Sequence, residues 1–132
     1  MPRYVFLWIV FLGLAVYMTL ACGSHVLQSI TISPTSADAK DYPNGRVQFV
    51  ATGHFNTNPL EVTPLSPNWS ALDQSLSPTS AVSVTSTGLA QCADGALGTY
   101  LIEASDPMPG SHTGMCPELG CVIFATAQLT CP

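Results

Sequence analysis

Charge is scarce in this 132-residue chain. Only 8% of its residues are charged, with 3 Lys and Arg against 8 Asp and Glu and a net charge of −5. That is about a third of the usual charged share. With no basic stripe, nothing is available to neutralise a phosphate backbone, which excludes nucleic acid as a partner. The same shortage excludes a surface held on anionic lipid by charge. No segment repeats its apolar side chains at roughly 3.6-residue intervals, so a helical bundle is excluded as well. Motifs of catalysis are also missing: there is no Gly-x-Ser-x-Gly, no Gly-rich phosphate loop and no His-Glu-x-x-His. His25, His54 and His112 are scattered, and the acids stand singly, mostly in turns. The expectation is a protein that is not an enzyme, with no cofactor and no metal.

What is present begins with an address. Met1-Pro2-Arg3 is followed by an uncharged run from Tyr4 to Leu20. A short basic start and an apolar stretch form the pattern of an export signal. The run is near the lower limit for crossing a bilayer, so an uncut anchor is the competing reading. The next residues favour cleavage. Thr19-Leu20-Ala21-Cys22, followed by Gly23-Ser24, resembles the lipobox of bacterial lipoproteins, although that family usually has Leu where this chain has Thr19. The resemblance implies that the Cys22 thiol carries a diacylglycerol and that a peptidase cuts just before it. Two or three acyl chains anchor a protein stably where one does not. The mature chain would then keep Lys40 and Arg46 as its fixed cations.

The remainder has 11 Pro, 10 Gly and many Ser and Thr between brief alternating runs. Val26, Gln28, Ile30 and Ile32 share one strand face, and Pro34 ends that strand. Asp41-Tyr42-Pro43-Asn44-Gly45 reads as a turn. Arg46 to Phe55 is the clearest strand, with Val47, Phe49 and Ala51 on one side and Arg46, Gln48 and Thr52 on the other. Asn56-Thr57-Asn58-Pro59 is a turn. Leu60 to Thr63 reads as a short edge strand broken by Pro64-Leu65-Ser66-Pro67. Asn68 to Ala71 and Ala81 to Thr87 are further strands, and Gly88-Leu89-Ala90 turns into another. Thr99 to Ser105 puts Tyr100, Ile102 and Ala104 on one face, and Val122 to Thr130 does the same with Ile123, Ala125, Ala127 and Leu129. About seven or eight strands with frequent turns predict an all-β, two-sheet antiparallel sandwich.

Five segments in order carry a resemblance: Thr31-Ile32-Ser33-Pro34, Val47 to Gly53, Asn68-Trp69-Ser70, Ser86-Thr87-Gly88-Leu89-Ala90, and Gly98 to Ala104. The series resembles the group 2 bacterial immunoglobulin-like domain. The resemblance covers residues 29–105, and the last strand would complete the sandwich. It implies an immunoglobulin-like fold and a role in adhesion or in carbohydrate or protein contact. Trp69 then falls where a sandwich buries an aromatic ring between its sheets. The division expected is 1–21 signal peptide, 22–28 lipidated Cys and tether, and 29–132 sandwich.

Setting Cys22 aside leaves Cys92, Cys116, Cys121 and Cys131, an even count that reads as disulfides in an exported domain. The strands at about 99–105 and 122–130 should form an antiparallel hairpin, which brings Cys131 to the start of its partner, beside Cys92. Cys116 and Cys121 both fall in the hairpin loop. The pairing expected is Cys92–Cys131 and Cys116–Cys121. The first closes about 38 residues, worth roughly 3–4 kcal/mol in the chain-entropy model. A metal site at His112-x3-Cys116-x4-Cys121 is the rival, but its spacing fits no usual zinc pattern. Asp94 and Asp106 could share a calcium ion only if their loops met, and Glu103 and Lys40 read as solvated.

Pro107 to Met115 has no evident structural duty. Binding residues gather on such loops when a rigid scaffold holds them, which makes Met108, His112 and Met115 candidate contacts. The expected role is non-catalytic: a binding or adhesion module of the bacterial cell envelope, periplasmic or surface-facing, anchored by lipid, with an envelope glycan or protein as partner. The alternatives are a structural spacer without a specific ligand and, further off, a small hydrolase.

Overall fold

A computed structural model describes residues 25–107 and 122–132. Ten strands follow one another: β1 (Leu27–Ser33), β2 (Ser36–Asp38), β3 (Arg46–Gln48), β4 (Val50–Phe55), β5 (Glu61–Leu65), β6 (Asn68–Leu72), β7 (Val82–Val84), β8 (Leu89–Cys92), β9 (Gly98–Pro107) and β10 (Val122–Cys131). Three hydrogen-bonded groups result, ordered β1-β4-β5, β3-β8-β7 and β2-β10-β9-β6. Because β3 and β4 are one run of chain interrupted at Phe49, the first two groups form a single layer. Phe49 keeps that layer continuous by donating its N–H to the Gly88 carbonyl at 2.9 Å. The fold is an all-β sandwich.

Its core lies between this layer and the four-stranded sheet. Val47, Phe49 and Ala51 point in from one side, and Ile102, Ala104, Ala127 and Leu129 meet them from the other, all essentially inaccessible. Alternation drives this arrangement, since successive side chains of a strand point to opposite faces. Phe49, Ile102, Leu129 and Val47 are the largest fully buried side chains. Trp69 is half-buried and packs against this cluster rather than lying within it. Its ring covers Gly88, whose φ of +82° lies in the left-handed region. A Cβ at Gly88 would stand 2.4 Å from the Phe49 carbonyl oxygen and 2.9 Å from the Trp69 ring. Glycine is therefore required where the β7–β8 turn closes on the layer.

Four features depart from the sequence reading. Gln28 is exposed and Leu27 is buried in its place, because β1 shifts register against β4 between Leu27 and Ser29. β5 runs on through Pro64 to Leu65; as the outer strand of its group it tolerates a residue with no N–H to give. Arg46 to Phe55, expected as one strand, divides its pairing between β8 and the pair β1 and β5. β2 was not expected at all. It pairs in parallel with β10, from Gln128↔Ser36 to Thr130↔Asp38, so the four-stranded sheet is mixed rather than purely antiparallel.

The two ends of the sandwich are distinct. Arg46↔Gln91 pairing and the Cys92–Cys131 disulfide bring the start of β3, the end of β8 and the end of β10 together. β2 and the start of β9 join them, through Thr130↔Asp38 and Cys131↔Gly98. At the opposite end Leu27 pairs with Phe55, and Val122 pairs with Pro107. Strands β9 and β10 are 10 residues each, so the ends stand roughly 30 Å apart.

Candidate functional site

The disulfide end is built from turns. After β2, Ala39–Asp41 and Pro43–Gly45 form two 3-10 turns, with Tyr42 between them. Asp38 caps the first: its carboxylate accepts from the Lys40 backbone N–H at 3.1 Å and pairs with the Lys40 ammonium at 2.8 Å. The hydrogen bond with Lys40, then the charge it brings, holds the Asp38 carboxyl below its ordinary range and the Lys40 ammonium above its own. Asn44 and Gly45 adopt left-handed backbone, which the Asn-Gly pair permits at little cost.

Tyr42 separates two open hollows. One, of about 380 Å³, is bordered by Lys40, Asn44, Gln91, Asp94 and Pro132 as well as Tyr42. The other, of about 590 Å³, is bordered by Asp38, Asp41, Gln128 and Thr130 as well as Tyr42. Arg46 lies alongside, donating its Nε–H to the Gln91 side-chain oxygen at 3.1 Å. Tyr42 is 37% exposed. An aromatic ring beside amides, hydroxyls and carboxylates offers one stacking face and many hydrogen-bonding groups. Such a set can hold a hydroxyl-rich ligand by stacking and polar contact.

The residues singled out from sequence are placed as follows. Cys92 and Cys131 are joined, with Cα atoms 5.9 Å apart. Cys22, Cys116, Cys121, Met108, His112 and Met115 lie outside the described residues, and the expectations attached to them lie there too. Asp94 and Asp106 sit beyond and near opposite ends of β9, so they share no ion. Among the described residues no group of three His, Cys, Asp or Glu converges. His54 is half-buried at the sheet rim, its Nε2 3.2 Å from the Thr31 hydroxyl and its Nδ1 3.3 Å from Glu61. His25, assigned to a tether, instead stacks on Phe55 at 4.1 Å and meets the Thr57 hydroxyl at 3.0 Å. Lys40 is exposed, as expected, and also pairs with Asp38; Glu103 is half-buried and accepts from Ser70 at 3.3 Å.

The Tyr42 hollows were missed. Their one legible signal was an aromatic side chain set among Asp, Pro, Asn and Gly, where a turn leaves it no core to enter. The chain matches no model of a known protein family, and no curated protein matches it. Among the described residues no helix is long and apolar enough to cross a membrane.

Proposed function

We propose that the protein is a bacterial envelope lipoprotein whose immunoglobulin-like sandwich is a non-catalytic binding or adhesion module. One observation carries this reading: a disulfide-closed all-β sandwich starts five residues after Cys22, which itself follows the uncharged run Tyr4–Leu20. Disulfides persist in oxidising compartments, which an export signal reaches. The order of motifs resembling the group 2 immunoglobulin-like domain supports the same class, and the fold by itself fixes no ligand. The partner is an envelope glycan or protein, met at the Tyr42 end through the ring and the polar groups around it.

An intact mass of the protein expressed with its own signal in a bacterial host tests the anchor. A mass of residues 22–132 plus acyl groups supports the reading; the unlipidated full chain makes Tyr4–Leu20 an anchor instead. An array of envelope glycans and proteins probed with residues 23–132 tests the module. Tyr42→Ala should weaken a positive signal by about tenfold or more while leaving Tm nearly unchanged, because the ring is exposed. Loss of the signal on deletion of residues 108–115 would instead place the contacts on Met108, His112 and Met115. An empty array makes the protein a spacer.

A further inference from the structure

We infer that the anchored protein stands on the bilayer with its Leu27–Phe55 end resting on the lipid through Leu60, Val122 and Phe124, and with its Tyr42 end facing outward. This rests on the lipoprotein reading and adds an orientation to it. The argument is one of reach. The described chain does not float up to β1: His25 is stacked on Phe55 at 4.1 Å, and the Val26 N–H donates to the Asn56 side chain at 2.8 Å. Only Gly23 and Ser24 separate that fixed His25 from Cys22. Three Cα-to-Cα steps span at most about 11 Å. An acylated Cys22 therefore holds this end of the sandwich within about 11 Å of the lipid-bearing residue, at most about two headgroup thicknesses, while the Tyr42 end stands roughly 30 Å further out.

The end so held has the surface for it. Leu60 is 57% exposed at the base of the β4–β5 turn, where its carbonyl accepts from the Phe55 N–H at 2.7 Å, and Val122 and Phe124, at 40% and 63%, share the outward face of β10. Apolar side chains are exposed at the other end as well, Leu97 among them; the short leash, not the patch alone, chooses which end meets lipid. Charge is excluded as the attraction, since Lys40 and Arg46, the only Lys and Arg among the described residues, both lie at the outward end. The contact is apolar, with side chains entering the interface without spanning it. The roots of the 108–121 segment, Pro107 and Val122, also lie at the membrane end.

The test uses the full lipidated chain, its acylation checked by mass, reconstituted in vesicles of phosphatidylcholine brominated on the acyl chains. Tryptophan is placed singly by Phe124→Trp, Leu60→Trp and Tyr42→Trp, with the unsubstituted protein as the Trp69 baseline. All three positions are exposed, so each variant should fold. Quenching at 124 and at 60 should be at least about threefold stronger than at 42 and unchanged by high salt. Equal quenching at all three sites, stronger quenching at 42, or loss of quenching in salt overturns the orientation while leaving the acylated mass, and the lipoprotein, in place. A mass without acyl groups overturns both.

Discussion

Gly88 is the position where a single Cβ decides most. Gly88→Ala meets a strained φ and a backbone oxygen that cannot move aside, so it should cost more than about 2 kcal/mol in urea unfolding. Gly95→Ala is the comparison. Its φ is also positive, but nothing lies within 4 Å, and the cost should be about 1 kcal/mol. Equal losses would mean that the contact with Phe49 and Trp69 contributes nothing. Asp73 sets a pH dependence. The Ser75 hydroxyl donates to its carboxylate at 2.6 Å, and the Ser77 and Ser75 backbone N–H groups add to it, which holds its pKa below the ordinary value. A depressed carboxyl contributes its stability above the unfolded-state pKa and loses it as pH falls through the folded one. Asp73→Asn should therefore flatten the acid limb of the stability profile, below about pH 4, and leave the alkaline side unaltered. Individual core residues such as Val47, Phe49, Ile102 and Leu129 were legible because a period of two needs only a run of neighbours to be read. Tyr42 was not, since its surroundings come from β2, the 3-10 turns, the β8–β9 turn and β10, which only the folded chain brings together.

Among the elements, the β9–β10 hairpin and the disulfide at its open end do the most to close the sheet. Cys92–Cys131 spans a sequence separation of 39 residues. Replacing both cysteines with Ala should cost about 4 kcal/mol in the chain-entropy model, measured by denaturant unfolding with m fitted for each protein, since the unfolded chain without its cross-link exposes more surface. Phe49, at the point where the chain passes from β3 to β4, is fully buried, and Phe49→Ala should cost about 3–5 kcal/mol. Long hairpin strands were readable because their partners are close in sequence and their alternation is long. β2 was hidden for the opposite reason: three residues paired in parallel to a strand some ninety positions later leave no local pattern. The bulge at Gln28 was hidden because one extra residue inverts every face before it, and alternation alone does not report where a register slips. Pro64 misled for a physical reason too, since an edge strand does not use the N–H that proline lacks.

At the scale of the molecule, strands running between two unlike ends give the sandwich a direction. One end carries the start of β1 and the roots of the 108–121 segment; the other carries the disulfide, Lys40, Arg46 and the Tyr42 hollows. The all-β architecture was legible from composition and alternation together, whereas the polarity needed the pairing of Arg46 with Gln91 and of Leu27 with Phe55. That polarity has a mechanical consequence. If Cys22 carries lipid and a partner binds at Tyr42, as proposed, a load drawn between them enters at the start of β1 and runs along that strand rather than across it. The β1–β4 ladder, in register from Ser29↔His54 to Ser33↔Val50 beyond the bulge at Gln28, is then pulled in shear, so its hydrogen bonds share the tension instead of opening one after another like a zip.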